Sequence, residues 1–437
     1  MRKFARRLLL TCLAAATLFE IATVVRSDGG IRHVTNTPEH AHSLNPSLSG
    51  NGRRIVFESN YDLTGEGGAP QFRAYSSALD GAAPAYTQIG ATRAPSAAVS
   101  QDGSRVAFAS SDDPLGTNPD HNSEIFVHDA AGLRQLTNTR PADPSARTVE
   151  GCFRPSVSDD GRLVAFTSNR DLTGRNPDAN LEAFVFDLAA AKLEQLTDSA
   201  GGTGTSDAKL SGDGSRLALL GDPPAHSNAA RALRLFDLRE RTAQLVSADL
   251  AKLSFGTGRA VSDDGLRVIF AAETAENASQ VFLSDGRNGL LRQLTKLSSR
   301  AAEVPLNPTI SGDGSRIAFA TRRSVVGGNS DASVELYLYD LPTDTFTRVT
   351  DAPSQATAEV VASLDDDGSL VAFNFPRVLS GAVAFPEFAN NSEIYTTALP
   401  PRTPSAGDLQ IVNAASMGRE PSADKPFAPG QLAIARG

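Results

Sequence analysis

The sequence predicts an all-β fold, a seven-bladed β-propeller of four-stranded antiparallel blades that is closed by the N-terminal strand. Three observations predict it. A turn dipeptide recurs seven times at nearly constant spacing, apolar residues alternate beside each turn, and the last repeat lacks a strand that the N-terminal segment can supply. A period near fifty residues is typical of propeller blades, which bury their faces only by stacking against neighbours.

The turn dipeptide is Asp-Gly in six copies and Asn-Gly in the first, and successive glycines are 51, 58, 53, 51, 49 and 54 residues apart. A Ser stands three residues before the glycine in six copies, and Asp365 stands there in the last. Glycine tolerates the positive φ that a tight hairpin needs, so each copy is predicted to join two antiparallel strands. The glycines are Gly52, Gly103, Gly161, Gly214, Gly265, Gly314 and Gly368.

The strands beside each turn supply the predicted core. The residue five positions after the glycine is Phe in six copies and Leu219 in the fourth. We expect these side chains to pack between neighbouring blades, because large apolar groups gain most from burial there. A third strand, such as residues 124–127, and a fourth, such as residues 135–137 with the sequence Gln-Leu-Thr, complete each unit of four strands.

The last repeat has a third strand at residues 393–397 but runs into Pro400 and Pro401 instead of a fourth strand. The missing segment matches the N-terminal residues 31–37, whose sequence parallels that of residues 133–139. Closing the ring would remove an exposed sheet edge. We therefore predict that residues 31–35 pair with residues 393–398, within a propeller that spans residues 28–400.

Residues 1–27 are predicted to be a signal peptide, with a basic start, an apolar stretch and a plausible cleavage site at Ser27. An uncleaved N-terminal anchor is the alternative. The chain has a net charge of −9, and removal of this segment, with five basic residues and one acidic residue, leaves −13. An acidic body cannot neutralise phosphates, so nucleic acid is not expected as a partner, and no membrane span is expected in the mature chain.

The repeat resembles a known family. Residues 155–166, Pro-Ser-Val-Ser-Asp-Asp-Gly-Arg-Leu-Val-Ala-Phe, resemble the TolB-type propeller repeat, a relative of the WD repeat. The resemblance covers residues 31–400 and implies a periplasmic or secreted location and a binding surface. The sequence departs from the family where Trp often precedes the Ser and aliphatic residues stand here. Residues 401–437 are predicted to be a tail or a truncated C-terminal module. Residues 409–437 resemble the opening of a C-terminal module of secreted proteins, with an unstructured tail as the alternative.

Strand direction places the candidate binding surface. The loops between strands two and three share one rim with the blade-to-blade connections, whereas only tight turns occupy the other rim, and function concentrates in long loops. The long loops carry twelve acidic and five basic residues, which favours cations or basic partners. A merely solubilising face is the alternative. The candidate binding residues are Asp62, Asp112, Asp113, Asp120, Arg170, Asp171, Asp178, Arg322, Arg323 and Asp331.

Two of these loops repeat the pattern Asn-Pro-Asp-x-Asn. The side chains of Asn118, Asp120, Asn176 and Asp178 are weak candidates for a calcium site, because Ca²⁺ takes carboxylate and amide oxygens. The alternative is a set of local turns in which these side chains fold each loop onto itself. No other cofactor is expected.

The sequence contains no Gly-x-Ser-x-Gly, His-Glu-x-x-His, Walker or dinucleotide-binding motif. Cys152, the one cysteine outside the predicted signal peptide, has no visible partner. The leading interpretation is therefore a non-catalytic scaffold in the bacterial envelope or outside the cell, which binds a protein or a glycan. The alternative is a propeller enzyme, a polysaccharide lyase or hydrolase with its site at the mouth of the central channel.

Overall fold

The computed structural model describes residues 30–67, 70–81, 83–140, 151–199, 204–222, 231–247, 249–298, 304–352, 359–376, 379, 391–401, 410–413 and 433–436. The predicted signal peptide lies outside these residues. The described strands form seven four-stranded antiparallel sheets, arranged as the blades of a ring, and one two-stranded sheet. The chain is therefore an all-β, seven-bladed propeller, as the repeat predicted.

The first three blades follow the chain in order. Blade 1 comprises β2 (Ser43–Leu48), β3 (Arg54–Ser59), β4 (Arg73–Ala78) and β5 (Tyr86–Gly90). Blade 2 comprises β6 (Ala98–Val99), β7 (Val106–Ser110), β8 (Glu124–Asp129) and β9 (Gly132–Gln135). Blade 3 comprises β10 (Cys152–Val157), β11 (Leu163–Ser168), β12 (Glu182–Asp187) and β13 (Lys192–Gln195).

The next three blades repeat this arrangement. Blade 4 comprises β14 (Gly204–Leu210), β15 (Arg216–Asp222), β16 (Ala232–Asp237) and β17 (Thr242–Ser247). Blade 5 comprises β18 (Ala251–Ser254), β19 (Arg267–Glu273), β20 (Ser279–Asp285) and β21 (Leu290–Gln293). Blade 6 comprises β22 (Thr309–Ile310), β23 (Arg316–Thr321), β24 (Glu335–Asp340) and β25 (Thr345–Arg348).

Blade 7 joins the two ends of the propeller. It comprises β26 (Ala362–Leu364), β27 (Leu370–Pro376), β28 (Ser392–Ala398) and, as its outer strand, β1 (Arg32–His33). Arg32 pairs with Thr396, and His33 pairs with Tyr395. This confirms that the N-terminal strand closes the ring.

A Ser and the side chain two residues after it, Asp in five blades and Asn51 in blade 1, hold the recurring turn in six of the seven blades. In blade 2, Ser100 Oγ donates a hydrogen bond of 2.8 Å to Asp102 and accepts one of 3.0 Å from the Arg105 backbone N–H. The turn glycines have φ between +67° and +73° in all seven copies. In blade 7, Asp365 takes over the role of the Ser by accepting from the Leu370 N–H and the Ser369 hydroxyl.

An arginine at the start of strand two ties neighbouring blades together. Arg316 binds Asp340 at the end of the third strand of its own blade at 3.0 Å, and it donates 2.7 Å to the Gly368 carbonyl of the next blade. Arg267 and Arg105 make the same pair of contacts. The Asp that ends most third strands therefore anchors an inter-blade contact.

The recurring Phe of strand two is buried against an aromatic ring of strand three. The rings of Phe108 and Phe126 are stacked with their centroids 5.7 Å apart, and Phe166 and Phe184 repeat this geometry. Phe108 packs in one cluster with Val56 of blade 1. The predicted packing between blades is confirmed, and in blade 4 Leu219 joins a cluster shared with blade 3.

The Gln-Leu-Thr segment differs from its prediction as a regular strand, because β9 ends at Gln135 and the Thr bonds through its side chain. Thr137 Oγ1 accepts from the Ile125 N–H at 2.9 Å and donates to Glu124 at 2.5 Å. The same latch closes the ring. Thr35 Oγ1 accepts from the Ile394 N–H at 2.8 Å and donates to Glu393 at 2.5 Å.

In the C-terminal segment, β29 (Gln410–Asn413) pairs antiparallel with β30 (Ala433–Arg436). The resemblance of residues 401–437 to a secreted module stays a prediction. Among the described residues, no helix has the length and apolar character needed to cross a membrane.

Candidate functional site

The residue between the Ser and the Asp-Gly of each repeat faces the propeller axis. Seven backbone hydrogen bonds of 2.7–2.9 Å run from each blade to the next at this level, including the bond from Asp366 of blade 7 to Gly50 of blade 1. Every acceptor is the carbonyl of this axial residue. The seven axial residues are Gly50, Gln101, Asp159, Gly212, Asp263, Gly312 and Asp366.

Three of the axial residues are aspartates, and their carboxylates lie close together at the propeller axis. Asp159, Asp263 and Asp366 each place a carboxylate oxygen within 4.8 Å of the other two. The axial residue is glycine in blades 4, 6 and 1, the blades that come after each of these aspartates around the ring. A Cβ at Gly212 or Gly312 would collide with the carboxylates. We call Asp159, Asp263, Asp366 and the arginine among them, Arg259, the axial cluster.

Arg259 supplies the countercharge inside the axial cluster. Its guanidinium lies 2.8 Å from Asp366 Oδ1 and 3.7 Å from Asp159 Oδ1, and it donates a hydrogen bond to Asp263. The cluster therefore links blades 3, 5 and 7 across the axis. Because the guanidinium of Arg259 contacts all three carboxylates, the arginine is the cation that balances part of their negative charge.

The electrostatics of the axial cluster are strongly perturbed. Burial raises the pKa of Asp263 to about 7, against the opposing effect of Arg259 and with a further contribution from Asp159 and Asp366. Burial likewise raises the pKa of Asp159. For Arg259, burial acts to lower the pKa, but the three carboxylates raise it above its ordinary value. Near neutral pH, one proton can therefore be shared among the carboxylates.

A cavity of about 60 Å³ lies along the axis beside this cluster, lined mainly by the innermost strands of the blades. Its polar lining includes Lys209, Ser47, Ser156 and Ser363, together with Asp159 and Arg259 of the axial cluster. Lys209 is 6% exposed, and burial lowers its pKa.

The long loops at the opposite rim are fastened by asparagine side chains. Asn118 Nδ2 donates to the carbonyls of Asp112 and Asn122, at 3.1 and 2.9 Å, and so bridges the start and the end of its loop. Asn176 bridges its loop in the same way in blade 3, and so does Asn329 in blade 6. We call these three asparagines the loop clips.

Several predicted rim residues hold their own loops. Asp62 accepts from the backbone N–H of Gly67, and this bond, with those of nearby groups, lowers the pKa of Asp62. Asp112 accepts from the Arg93 N–H at 3.0 Å, and Asp113 accepts from the Asn118 N–H at 2.8 Å.

The blade 3 residues are arranged in the same way. Asp171 accepts from the Asn176 N–H at 3.0 Å, and this bond is the main reason that its pKa is lowered. The Arg170 carbonyl accepts from the Asn176 amide. Asp178 and Asp120 of blade 2 are exposed at the outer surface of their loops.

In blade 6, Arg323 is buried and its carbonyl accepts from the Tyr337 hydroxyl. Arg322 donates to the Ala332 carbonyl at 3.0 Å, and exposed Asp331 accepts from Ser333. The candidate rim residues thus form separate loop networks. Asp120, Asp171, Asp178 and Asp331 are the exposed acidic residues among them, and Asp171 accepts a backbone hydrogen bond of its own loop.

The proposed calcium ligands take part in these local turns, but a calcium site there stays a prediction. The Oδ1 atoms of Asn118 and Asn176 are buried and accept no hydrogen bond from the described residues. Cys152 is also buried, and burial raises the pKa of its thiol to about 12, so a reactive thiolate is disfavoured.

The axial cluster was missed by the sequence analysis, which looked to the loops for function. A usable signal was present. The residue before each Asp-Gly or Asn-Gly is Asp in three copies, Gly in three and Gln in one, while its neighbours on both sides stay nearly constant. When one position of a repeat varies between constant neighbours, its side chain can be the one that contacts the other repeats.

No protein-family model and no curated protein matches the sequence. Solved propeller structures do share its fold. An oligogalacturonate lyase in complex with manganese aligns with 87% of this chain and 96% of its own length, at 13% identity and a TM-score of 0.55. The oligogalacturonate lyase of Vibrio parahaemolyticus aligns with 87% of this chain and 98% of its own length, at 11% identity and a TM-score of 0.54.

TolB of Acinetobacter baumannii is also among the similar structures. It is 18% identical over 68% of this chain, with a TM-score of 0.43. This chain spans 63% of the length of that TolB, which is less than two thirds. At these levels of identity, the likeness to solved structures concerns the fold alone.

Proposed function

We propose that this propeller is an exported, non-catalytic scaffold that binds a protein or a glycan through its loop-rich rim, in the periplasm or outside the cell. The observation that carries the proposal is the set of loop clips. Asn118, Asn176 and Asn329 each bridge the two ends of a long loop through side-chain hydrogen bonds, which favour one conformation of the loop in the free protein. Loops that are ordered in advance lose less conformational entropy on binding.

The charge of this rim favours a basic partner. Asp120, Asp178 and Asp331 expose their carboxylates. Of the arginines of the same loops, Arg322 donates to a loop carbonyl, Arg323 is buried, and exposed Arg175 is paired with Asp198. Exposed charge of one sign steers partners of the opposite sign and makes association sensitive to salt. We therefore expect binding to weaken as the salt concentration rises.

The test is a pull-down from envelope and secreted fractions with residues 28–437 as bait, together with a glycan array. The test variant combines Asp120→Asn, Asp178→Asn and Asp331→Asn. The control combines Asp160→Asn, Glu240→Gln and Asp344→Asn, which change the charge equally away from the long loops. Loss of the partner with the first variant alone supports the proposal, and equal binding by both variants contradicts it.

The second candidate function is a polysaccharide lyase or hydrolase with its site at the mouth of the channel. The axial cluster favours it, because converging carboxylates with raised pKa values are typical of acid–base sites. Incubation with uronate polymers, followed by reducing-end and ultraviolet assays, tests this function. Turnover that Asp263→Asn abolishes would support it, and absence of turnover would leave the scaffold as the better description.

We also propose that the loops of Asn118 and Asn176 bind calcium, because their buried Oδ1 atoms accept no hydrogen bond from the described residues. Millimolar calcium should raise the melting temperature of the protein, and magnesium at the same concentration should not. Equal melting with calcium, magnesium and EDTA would contradict it.

A further inference from the structure

Lys209 is a buried cation that forms no salt bridge within the described residues. Its side chain lies in the axial cavity, and Lys209 is 6% exposed. The ammonium group donates one long hydrogen bond, 3.4 Å to the Thr257 carbonyl. Within the described residues, no carboxylate oxygen lies within 4 Å of it. A buried ammonium group has three donors, and leaving them without acceptors is costly.

The nearest acidic residue on the same strand is already paired. Asp207 Oδ2 binds Arg154 Nη1 at 2.7 Å, and Asp207 is 2% exposed. The three carboxylates of the axial cluster are likewise shared by Arg259. Asp207 Oδ1 accepts no hydrogen bond from the described residues, and the charge of Asp207 acts on Lys209 without a salt bridge between them. Lys209 is therefore the cation of this cavity that forms no ion pair within the described residues.

Hydroxyl groups around the same cavity add further donors. Ser156 Oγ accepts from the Leu210 N–H at 3.0 Å, and Ser363 Oγ accepts from the Leu48 N–H at 3.0 Å. Because each Ser accepts at its oxygen, its hydroxyl proton is free to donate, and no acceptor for either proton lies among the described residues. Lys209 and both Ser side chains line the cavity. Lys209 and these serines thus offer donors to the cavity, whose lining also includes the carboxylate of Asp159.

We propose that the axial cavity binds a small monocarboxylate, such as formate or acetate, with its oxygens on the Lys209 ammonium group and on the hydroxyl of Ser156, which is bonded to the neighbouring Leu210. A carboxylate supplies the missing charge and several acceptor lone pairs. A cavity of about 60 Å³ has room for roughly four water molecules, which suits an anion of three or four heavy atoms. This site is separate from the loop-rich rim and does not depend on the proposed function.

The test measures the melting temperature of residues 28–437 in sodium acetate, formate or gluconate at equal ionic strength and pH. Gluconate carries the same carboxylate on a chain too large for the cavity. Acetate at one hundred times its Kd should raise the melting temperature by about 3 °C relative to gluconate. Lys209→Gln should lose this difference, whereas Lys252→Gln, at an exposed lysine paired with Glu273, should keep it.

Calorimetric titration of the unmodified protein with acetate gives a second reading if Lys209→Gln does not fold. Saturable binding of acetate, without binding of gluconate, supports the proposal. Equal effects of acetate and gluconate, or an acetate effect that persists in Lys209→Gln, would overturn it. A chloride arm decides whether a simple anion suffices, in which case the carboxylate assignment is wrong.

Discussion

Arg259 is a single residue that offsets the negative charge of the carboxylates on the propeller axis. In six blades the position three residues before the turn Ser, or before Asp365, is Pro or Ala, and in blade 5 it is Arg259. Its side chain reaches carboxylates of blades 3, 5 and 7. Without this guanidinium, three like charges would face one another across the channel at close range.

Replacing the guanidinium tests this role. Arg259→Met should lower the free energy of unfolding by about 2–4 kcal/mol at pH 8, after allowance for partial exposure of the carboxylates. The loss should be smaller at pH 5, because protonation then relieves the repulsion. Chemical denaturation at both pH values measures it. Arg287→Met, which removes an exposed pair with Asp264, is the control and should cost about 1 kcal/mol or less. An equal loss at both pH values would contradict the expectation.

Asp263 should give the stability a distinct pH dependence. Its folded-state pKa is raised to about 7 from 3.8. The unfolded state therefore ionises first, so the contribution of this group to stability is complete below about pH 4 and is lost as the pH rises through 7. Asp263→Asn cannot ionise, so its melting temperature should gain on that of the unmodified protein between pH 5 and pH 8. A difference that stays constant over this range would show that the carboxyl titrates normally.

At the scale of the element, the hairpin turn is constrained by its own backbone and by the neighbouring blade. Gly103 has φ of +73°, and a Cβ there would lie 2.8 Å from the Cβ of Arg54 in blade 1. Gly265, Gly314 and Gly368 face the corresponding arginine of the preceding blade in the same way. The sequence analysis predicted the first constraint, whereas the second exists only in the assembled ring.

Two substitutions separate these constraints. Gly116 has φ of +69° and open space around a Cβ, so Gly116→Ala should cost only the backbone strain, about 1–2 kcal/mol. Gly103→Ala should cost that strain and about 1–3 kcal/mol more for the collision with Arg54. Urea unfolding of both variants gives the comparison. Equal losses would mean that the blades adjust without cost.

For the whole molecule, the decisive contact joins positions more than 350 residues apart. Glu393 accepts from the Thr35 hydroxyl and from the N–H and hydroxyl of Thr37. Glu124 makes the corresponding contacts with Thr137 and Thr139 inside blade 2. The closing strand is therefore latched by the same chemistry as an ordinary blade.

Thr35→Val and Thr137→Val test the closure as a matched pair. Each removes a hydroxyl and leaves a buried Glu oxygen and a buried N–H without a partner, which should cost about 1–3 kcal/mol. Only Thr35→Val should speed hydrogen exchange of residues 30–37, by about tenfold or more, because it loosens the terminal strand. Mass-spectrometric exchange measures this. Similar protection of residues 30–37 in both variants would show that the ring closes by other contacts.

Much of the fold could be predicted because its causes are local and repeated. The turn glycines, the alternating apolar residues and the match between residues 31–37 and 133–139 are all visible in the sequence, and the structure confirms seven blades and their closure. The extent of strand four was predicted less well, because Thr137 bonds through its side chain where a regular ladder was expected.

The sequence by itself determined the number of blades, the position of each turn and the strand that closes the ring. Only the tertiary structure decided which polar residues meet, because Asp159, Arg259, Asp263 and Asp366 come from three blades and converge only when the ring is complete. The isolation of Lys209 likewise depends on what surrounds its ammonium group across the axial cavity. Turns and strands depend on residues that are close together in the sequence, whereas the charge balance on the propeller axis depends on residues that are far apart in the sequence.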